Sequence, residues 1–438
     1  MLAVYAACVQ SGLVFLPLNP AYTPTEMDYF IADSGAALLL ASPNTAAVLG
    51  QVAARHGAQL QTMDHDGTGT LADLAEGQPG HFPTVPRSTD DLAAILYTSG
   101  TTGQSKGAML TQGNLLSNAQ TLVQIWAFTN TDVLLHALPI FHTHGLFVAT
   151  NVTLLAGGAM IFLPRFDPDA MIRLMPQATT MMGVPTFYTR LLDDPRVDAA
   201  LTGHIRVFIS GSAPLLAETH RAWTARTGHR ILERYGMTET NMNTSNPYAG
   251  ERRPGTVGLP LPGIDLRICD TAGQAVPKGE IGTIEVRGPN VFAGYWGMPE
   301  KTAEELRLDG FFTTGDLGMQ DADGYVTIVG RAKDLIISGG LNIYPVEIEA
   351  ALDALPGVLE SAVIGLSHPD MGEVAVAIVV PDADANFHPD DLLKTLSHTL
   401  ARFKLPRRIL VRDGLPRNAM GKVQKAVLRA ELAGLFAA

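Results

Sequence analysis

The run Tyr97-Thr98-Ser99-Gly100-Thr101-Thr102-Gly103-Gln104-Ser105-Lys106-Gly107 combines three glycines, the hydroxyls of Thr98, Ser99, Thr101 and Thr102, and one lysine. Glycines let a backbone turn tightly and bring its N–H groups against an anion. The hydroxyls add donors, and the ammonium adds positive charge. That is the chemistry of a phosphate cradle. It is not a Walker-type loop, because G-x-x-x-x-G-K-[ST] cannot be laid over residues 100–106. Alone, a stretch so rich in Gly, Ser and Thr is more often a plain loop, so its meaning depends on what accompanies it.

A second run, Tyr235-Gly236-Met237-Thr238-Glu239-Thr240, offers what an ATP-using site needs. Tyr235 is a flat surface for adenine, Thr238 a hydroxyl for the α-phosphate and Glu239 a carboxylate for Mg²⁺. In isolation the hexapeptide reads as a helix start with Thr238 as N-cap. Thr313-Thr314-Gly315-Asp316-Leu317 alone reads as a turn. Gly211-Ser212-Ala213-Pro214 is no nucleophile elbow, since G-x-S-x-G is absent. Pro416-Arg417-Asn418-Ala419-Met420-Gly421-Lys422 sets a lysine directly after a glycine. In Phe141-His142-Thr143-His144-Gly145 the two histidines lack the companions that a zinc site requires, so metal ligation is not expected there.

Together and in this order, the motifs resemble those of the acyl-adenylate-forming superfamily, which includes acyl-CoA synthetases, peptide-synthetase adenylation domains and luciferases. The resemblance covers essentially the whole chain. It implies that Thr98, Ser99, Gly100, Thr101, Thr102, Gly103 and Lys106 hold phosphates. It implies that Gly211, Ser212, Ala213, Tyr235, Gly236 and Met237 surround adenine, with Thr238 at the α-phosphate and Glu239 on the metal. Asp316 and Arg331 would take the ribose, Lys422 would be the catalytic lysine, and His142 would stand between the nucleotide and acyl pockets. Lys333 falls at the hinge, and Ser338-Gly339-Gly340 at the coenzyme A tunnel. Gln424 and Lys425 stand where the family often has arginine.

Within the superfamily, residues 233–245 look most like those of malonyl-CoA synthetases. The implied cofactors are ATP, Mg²⁺ and coenzyme A as co-substrate. The implied reaction joins malonate, or methylmalonate, to coenzyme A through an acyl-adenylate. Two alternatives stay open: a short-chain or aryl acyl-CoA synthetase, and a catalytically silent adenylate-binding protein. A dicarboxylate brings a second negative charge into the acyl pocket, and burying it unpaired is prohibitive. Arginine suits a carboxylate because its planar fork binds bidentately. Arg234, next to Tyr235, is the expected partner, with Arg190 and Arg253 in reserve and Thr186 and Met242 bordering the pocket. The competing reading pairs Arg234 with Glu233 or Glu239.

The elements that must position these groups alternate apolar β-type runs with helical patterns, which reads as α/β. Strands are expected at 13–18, 36–40, 92–96, 205–209, 325–329, 362–366 and 374–380, with a further pair of apolar runs at 151–163. Helices are expected from Pro345 onward, near 391–402 and over 424–435. Short alternating runs over 263–287 suggest an antiparallel, barrel-like portion. The expected fold is a large N-terminal domain of stacked α/β sheets, residues 1–332, and a small mobile α/β C-terminal domain, residues 333–438.

At 438 residues with 46% hydrophobic and 17% charged content, the chain is globular and long enough for both domains. A net charge of −12 argues against nucleic-acid and anionic-membrane partners. Residues 1–25 carry no charged side chain, yet the first basic residue is Arg55, so they read as buried helix and strand and not as a signal peptide. The resemblance also implies a further segment ahead of Met1. Two cysteines, Cys8 and Cys269, make no disulfide framework and suit a reducing cytoplasm.

Overall fold

The computed structural model describes residues 1–98, 105–339, 341–368, 370–382, 388–418 and 421–436. Its largest sheet has seven strands in the order Leu259–Pro260, Asn241–Ser245, Leu232–Met237, Val207–Ser210, Thr180–Gly183, Val133–His136 and Ala159–Phe162. The last five of these run parallel, and the first two add on antiparallel. Thr180–Gly183 and Val207–Ser210 are buried at every position. This explains their unbroken apolar character: a parallel strand covered on both faces has no solvent side to alternate with. Leu134, Leu135, Met181, Met182, Phe208 and Ile209 fill the core around them, each fully buried. Complete burial of one such side chain contributes roughly 1.5–3 kcal/mol.

Ligands in open parallel sheets bind beyond the carboxyl ends of the strands. The chain leaves those ends at His136, Gly183, Ser210 and Met237. The segments that follow carry His142, Thr186, Gly211-Ser212 and Glu239. One edge of one sheet therefore gathers motifs that lie about a hundred residues apart in sequence.

The portion expected to be antiparallel is a four-stranded sheet of Asp265–Cys269, Gly282–Arg287, Phe312–Gln320 and Val326–Arg331. Its third and fourth strands pair Asp316 with Arg331. Leu92–Thr98 and Lys106–Thr111 form an antiparallel ladder on either side of the phosphate run, so Thr98 lies opposite Lys106. After residue 335, Leu341–Ile343, Ile336–Ser338, Gly372–Pro381 and Val358–His368 make another sheet, with Arg408–Val411 parallel to Gly372–Pro381. Cores of Ile336, Ile348, Leu352 and Val363 on one side, and of Ile364, Val376 and Leu428 on the other, sandwich it. Pro345 opens the helix Pro345–Asp353, and the later helices run Pro389–Leu396 and Lys425–Leu432.

Three expectations need correction. No strand spans 13–18: Phe15 makes only a single bridge, to Ala94. The first apolar run of 151–163 is helical, Asn151–Leu155, continuing a wide turn of helix over His144–Thr150, and only Ala159–Phe162 is a strand. Thr238 caps no helix. It sits in a tight turn between two antiparallel strands, closed by Thr240 N–H donating to Met237 O at 3.2 Å. No helix among the described residues is long and apolar enough to cross a membrane, and both cysteines are free.

His136, fully buried, braces the loop that carries His142. Its Nδ1 accepts from Leu138 N–H at 3.3 Å, and Nε2 lies 2.9 Å from Gly145 O, which makes it a neutral ring with its proton on Nε2. Burial holds its pKa down to about 4 against 6.5 for a free imidazole. Between those values the unfolded chain binds a proton that the fold refuses. The stability from this site is therefore complete above pH 6.5 and is lost as the pH falls towards 4, by about 3 kcal/mol in all. Melting temperatures across pH 7 to 5 should fall more steeply for the wild type than for His136→Gln. Parallel curves would show that this ring does not carry the acid sensitivity.

Candidate active site

Tyr235, Asp316 and Arg331 form one assembly. Tyr235 donates its hydroxyl proton to Asp316 Oδ2 at 2.5 Å, and Arg331 Nε lies 2.7 Å from Asp316 Oδ1. The carboxylate keeps further lone pairs, so it is held in place and still able to accept. Gly236 is obligatory here: a Cβ would lie 1.7 Å from Asn241 O.

Arg234 projects from the same strand and is 3% exposed. Its Nε and Nη2 find no hydrogen-bond partner among the described residues. Glu233 is taken by His220, Nδ1 to Oε1 at 3.0 Å, and Glu239 by Tyr295, so the competing ion pair does not form. Burial pushes the guanidinium down to about 9 from 12.5, which leaves it charged at neutral pH. Gly211 makes room for it, since a Cβ there would meet the guanidinium carbon at 2.4 Å. The glycine read as an adenine contact thus has a second reason to be glycine.

Around Arg234 lie more unpaired buried groups. His142 Nδ1, Thr143 Oγ1 and His144 Nε2 have no partner among the described residues. His144 Nδ1 meets Ser212 Oγ at 3.1 Å, and Ser212 is held at φ 72, a costly conformation outside glycine. Burial, Arg234 and Lys422 together hold His142 neutral, down to about 4. His142 therefore lies within the electrostatic reach of both cations. A buried set so rich in orphaned donors fits an anionic ligand.

Lys422 reaches this region from the C-terminal sheet. A Cβ on Gly421 would stand 3.5 Å from Thr186 Oγ1, so the lysine loop lies against the helix Pro185–Leu192. The loop holds its own shape: Gly421 has φ 73, and Lys422 N–H donates to Asn418 Oδ1 at 3.0 Å. Lys422 is open to water in its cleft, yet the surrounding protein and then Arg331 lower its pKa below 10.5. It makes no ion pair among the described residues. Lys333, in the short turn Ala332–Asp334, is also lowered by partial burial. Asp334 is tied to Arg429 of the last helix, and Lys425 pairs with Glu349 at 2.6 Å, so the position read for arginine serves as an anchor.

Glu239 is buried, and its carboxylate receives one hydroxyl, from Tyr295 at 3.0 Å. That hydroxyl also lies 2.6 Å from Glu305 Oε2. Lys106 pairs with that same Glu305 at 3.0 Å. Burial accordingly raises the Glu239 pKa. A buried carboxylate short of a donor fits a hard divalent cation such as Mg²⁺.

Other expected residues fall outside this cluster. Arg190 is exposed, and Arg253 is engaged by Glu251, Asp321 and Asp323. Met242 is core, 2% exposed. Ser338 lines a cavity of about 450 Å³ together with Met371, Arg402, Phe403 and Arg407, all from the C-terminal sheet region. Gly339 beside it has φ 56, and a Cβ there would meet Met371 at 2.8 Å. Thr98 and Lys106 are described, whereas Ser99, Gly100, Thr101, Thr102, Gly103 and Gly340 lie outside the described residues. From the sequence alone His144 has no role beyond a rejected metal site, and Thr143, Tyr295 and Glu305 are not singled out. Only the pair of histidines around Thr143 gave any signal.

The family described as AMP-binding enzyme matches residues 1–296, and its C-terminal domain matches residues 347–422. A feruloyl-CoA synthase of Amycolatopsis sp is 40% identical over 428 residues, covering 97% of this chain and 84% of that protein. A malonate–CoA ligase of Arabidopsis thaliana is 37% identical over 455 residues, covering 96% and 74%. The crystal structure of ATP-bound MatB from Rhodopseudomonas palustris is 58% identical, covers 99% of this chain and 87% of that one, and superposes with a TM-score of 0.98. Apo MatB, at the same identity and coverage, gives 0.84. The chain thus superposes more closely on the ATP-bound structure than on the apo one.

Proposed function

The chain belongs to the AMP-binding enzyme family, and from that premise we propose that it ligates malonate to coenzyme A through malonyl-adenylate, releasing AMP and pyrophosphate. The buried Arg234, without an anionic partner among the described residues, carries this reading. A charge that costly to bury persists where a ligand completes it. Malonate has one carboxylate to react and a second to meet the guanidinium. Ferulate offers no second carboxylate, which sets this pocket apart from an aryl-acid site.

In the first half-reaction one malonate oxygen attacks the α-phosphorus of ATP, and the bond to pyrophosphate breaks. Tyr235 stacks on adenine, Asp316 and Arg331 hold the ribose, and the hydroxyls of the phosphate run grip the triphosphate. Lys106 and Lys422 oppose the charge that grows on the departing oxygens, an effect strongest where water is thin. Glu239 would hold Mg²⁺, which supplies further neutralisation on the phosphates. His142, kept neutral by burial, separates the nucleotide from the acid without repelling either.

In the second half-reaction the coenzyme A thiol attacks the acyl carbon and AMP leaves. Residues 333–438 act as the domain that turns about Lys333 between the halves and brings Ser338 and Gly339 to the thiol's path. Arg402 and Arg407 beside Ser338 suit the phosphates of coenzyme A. Two free cysteines favour a cytoplasmic setting.

Incubation with ATP, Mg²⁺, coenzyme A and malonate should yield malonyl-CoA, AMP and pyrophosphate, with ferulate and propionate turned over far more slowly. Release of ADP and phosphate, or a preference for ferulate, would overturn the assignment.

A further inference from the structure

Lys106 and Glu239 reach the site from separate elements, and their separation matters only if something holds it. We propose that Tyr295 and Glu305 are positioning residues that lock the Lys106 ammonium and the Glu239 carboxylate into one rigid unit; this rests on the adenylate-forming reading of the site. Tyr295 is 2% exposed, its N–H donates to Thr302 Oγ1 at 2.8 Å, and it bridges to Ala108 on the strand that begins at Lys106. The hydroxyl therefore has one place to be. It stands 3.0 Å from Glu239 Oε1 and 2.6 Å from Glu305 Oε2. The other oxygen of Glu305 holds Lys106 Nζ at 3.0 Å and Lys301 at 3.2 Å. Lys106 Nζ also lies 4.0 Å above the centre of the Tyr295 ring, a second attraction that survives without the hydroxyl.

The proton inventory gives the arrangement a direction. A tyrosine hydroxyl has one proton and donates to one acceptor at a time. Facing two carboxylates, it leaves one of them short, and a divalent cation on Glu239 removes the shortage. Lys106 has three donors; the contact with Glu305 uses one and leaves the rest for phosphate oxygens. Tyr295 thus serves the metal side of the unit and Glu305 the lysine side. Neither touches the reacting atoms.

Calorimetric titration of the full chain with ATP, with and without Mg²⁺, separates these roles. Tyr295→Phe keeps the ring, its edge contact with Phe292 at 4.8 Å and the attraction to Lys106. It should lower ATP affinity about ten-fold in Mg²⁺, leave affinity without Mg²⁺ unchanged, and keep the ligand-free melting temperature. Glu305→Gln should lower affinity under both conditions. A Tyr295→Phe protein that binds MgATP like the wild type, loses the same factor without Mg²⁺, or melts far earlier overturns the proposal. A wild-type chain that binds no MgATP overturns the adenylate reading as well, so the two failures are distinguishable.

Discussion

Arg234→Ala should lower kcat/KM for malonate by about two to three orders of magnitude while leaving propionate close to the wild-type value. Breaking a buried charge pair by removing one partner costs about 3–5 kcal/mol, because the remaining charge stays buried without compensation. In the variant that stranded charge is the distal carboxylate of malonate. Expressed as transition-state free energy, the loss falls on kcat/KM. Propionate has a methyl group at that position and meets no such penalty. In the wild type the guanidinium has no anionic partner among the described residues, so malonate should raise the melting temperature of the wild type and not of the variant. If malonate and propionate fall by the same factor, Arg234 shapes the pocket without choosing the acid, and the malonate assignment loses its physical support.

Lys422→Ala should slow adenylation by about two to three orders of magnitude, the scale on which one preorganised charge donor acts. Thioester formation from supplied malonyl-adenylate should stay near wild type. The geometry behind this asymmetry is the docked loop: Gly421 rests against Thr186, and Lys422 lies close enough to His142 to disfavour its protonation. That docking belongs to the arrangement shared with an ATP-bound relative, at a TM-score of 0.98 against 0.84 for the apo form. Pyrophosphate leaves only once; the second half-reaction has no such charge to oppose. Single-turnover assays of each half resolve the two rates. Equal damage to both would make the lysine a structural residue, or show that the C-terminal region does not turn.

Where sequence and structure part, the reasons are local. The apolar residues of 13–18 have the composition of a strand, but composition does not supply a partner, and Phe15 finds only one bridge to Ala94. The first half of 151–163 is apolar enough for strand or helix, and it continues the helix already begun at His144. Thr238 satisfies the chemistry of an N-cap, yet the flanking strands pair with each other and close a turn around it.

The sequence by itself determined which short runs have the residue types that suit phosphate, ribose and metal chemistry, because the backbone needs and donor groups of each are both written there. With malonate as the acid, it also led to the expectation that a cation meets the second carboxylate, since burying a charge unpaired is prohibitive wherever it occurs. Only the tertiary structure told the candidate cations apart. Arg190 is exposed, Arg253 is claimed by three carboxylates, and Arg234 alone of the three is buried with no anionic partner among the described residues. The sequence could not show this, because a guanidinium's freedom depends on where its neighbours' partners lie: His220 takes Glu233, and Tyr295 takes Glu239. The link from Lys106 through Glu305 and Tyr295 to Glu239 was hidden for the same reason, being a contact among three segments that meet only when the sheets assemble.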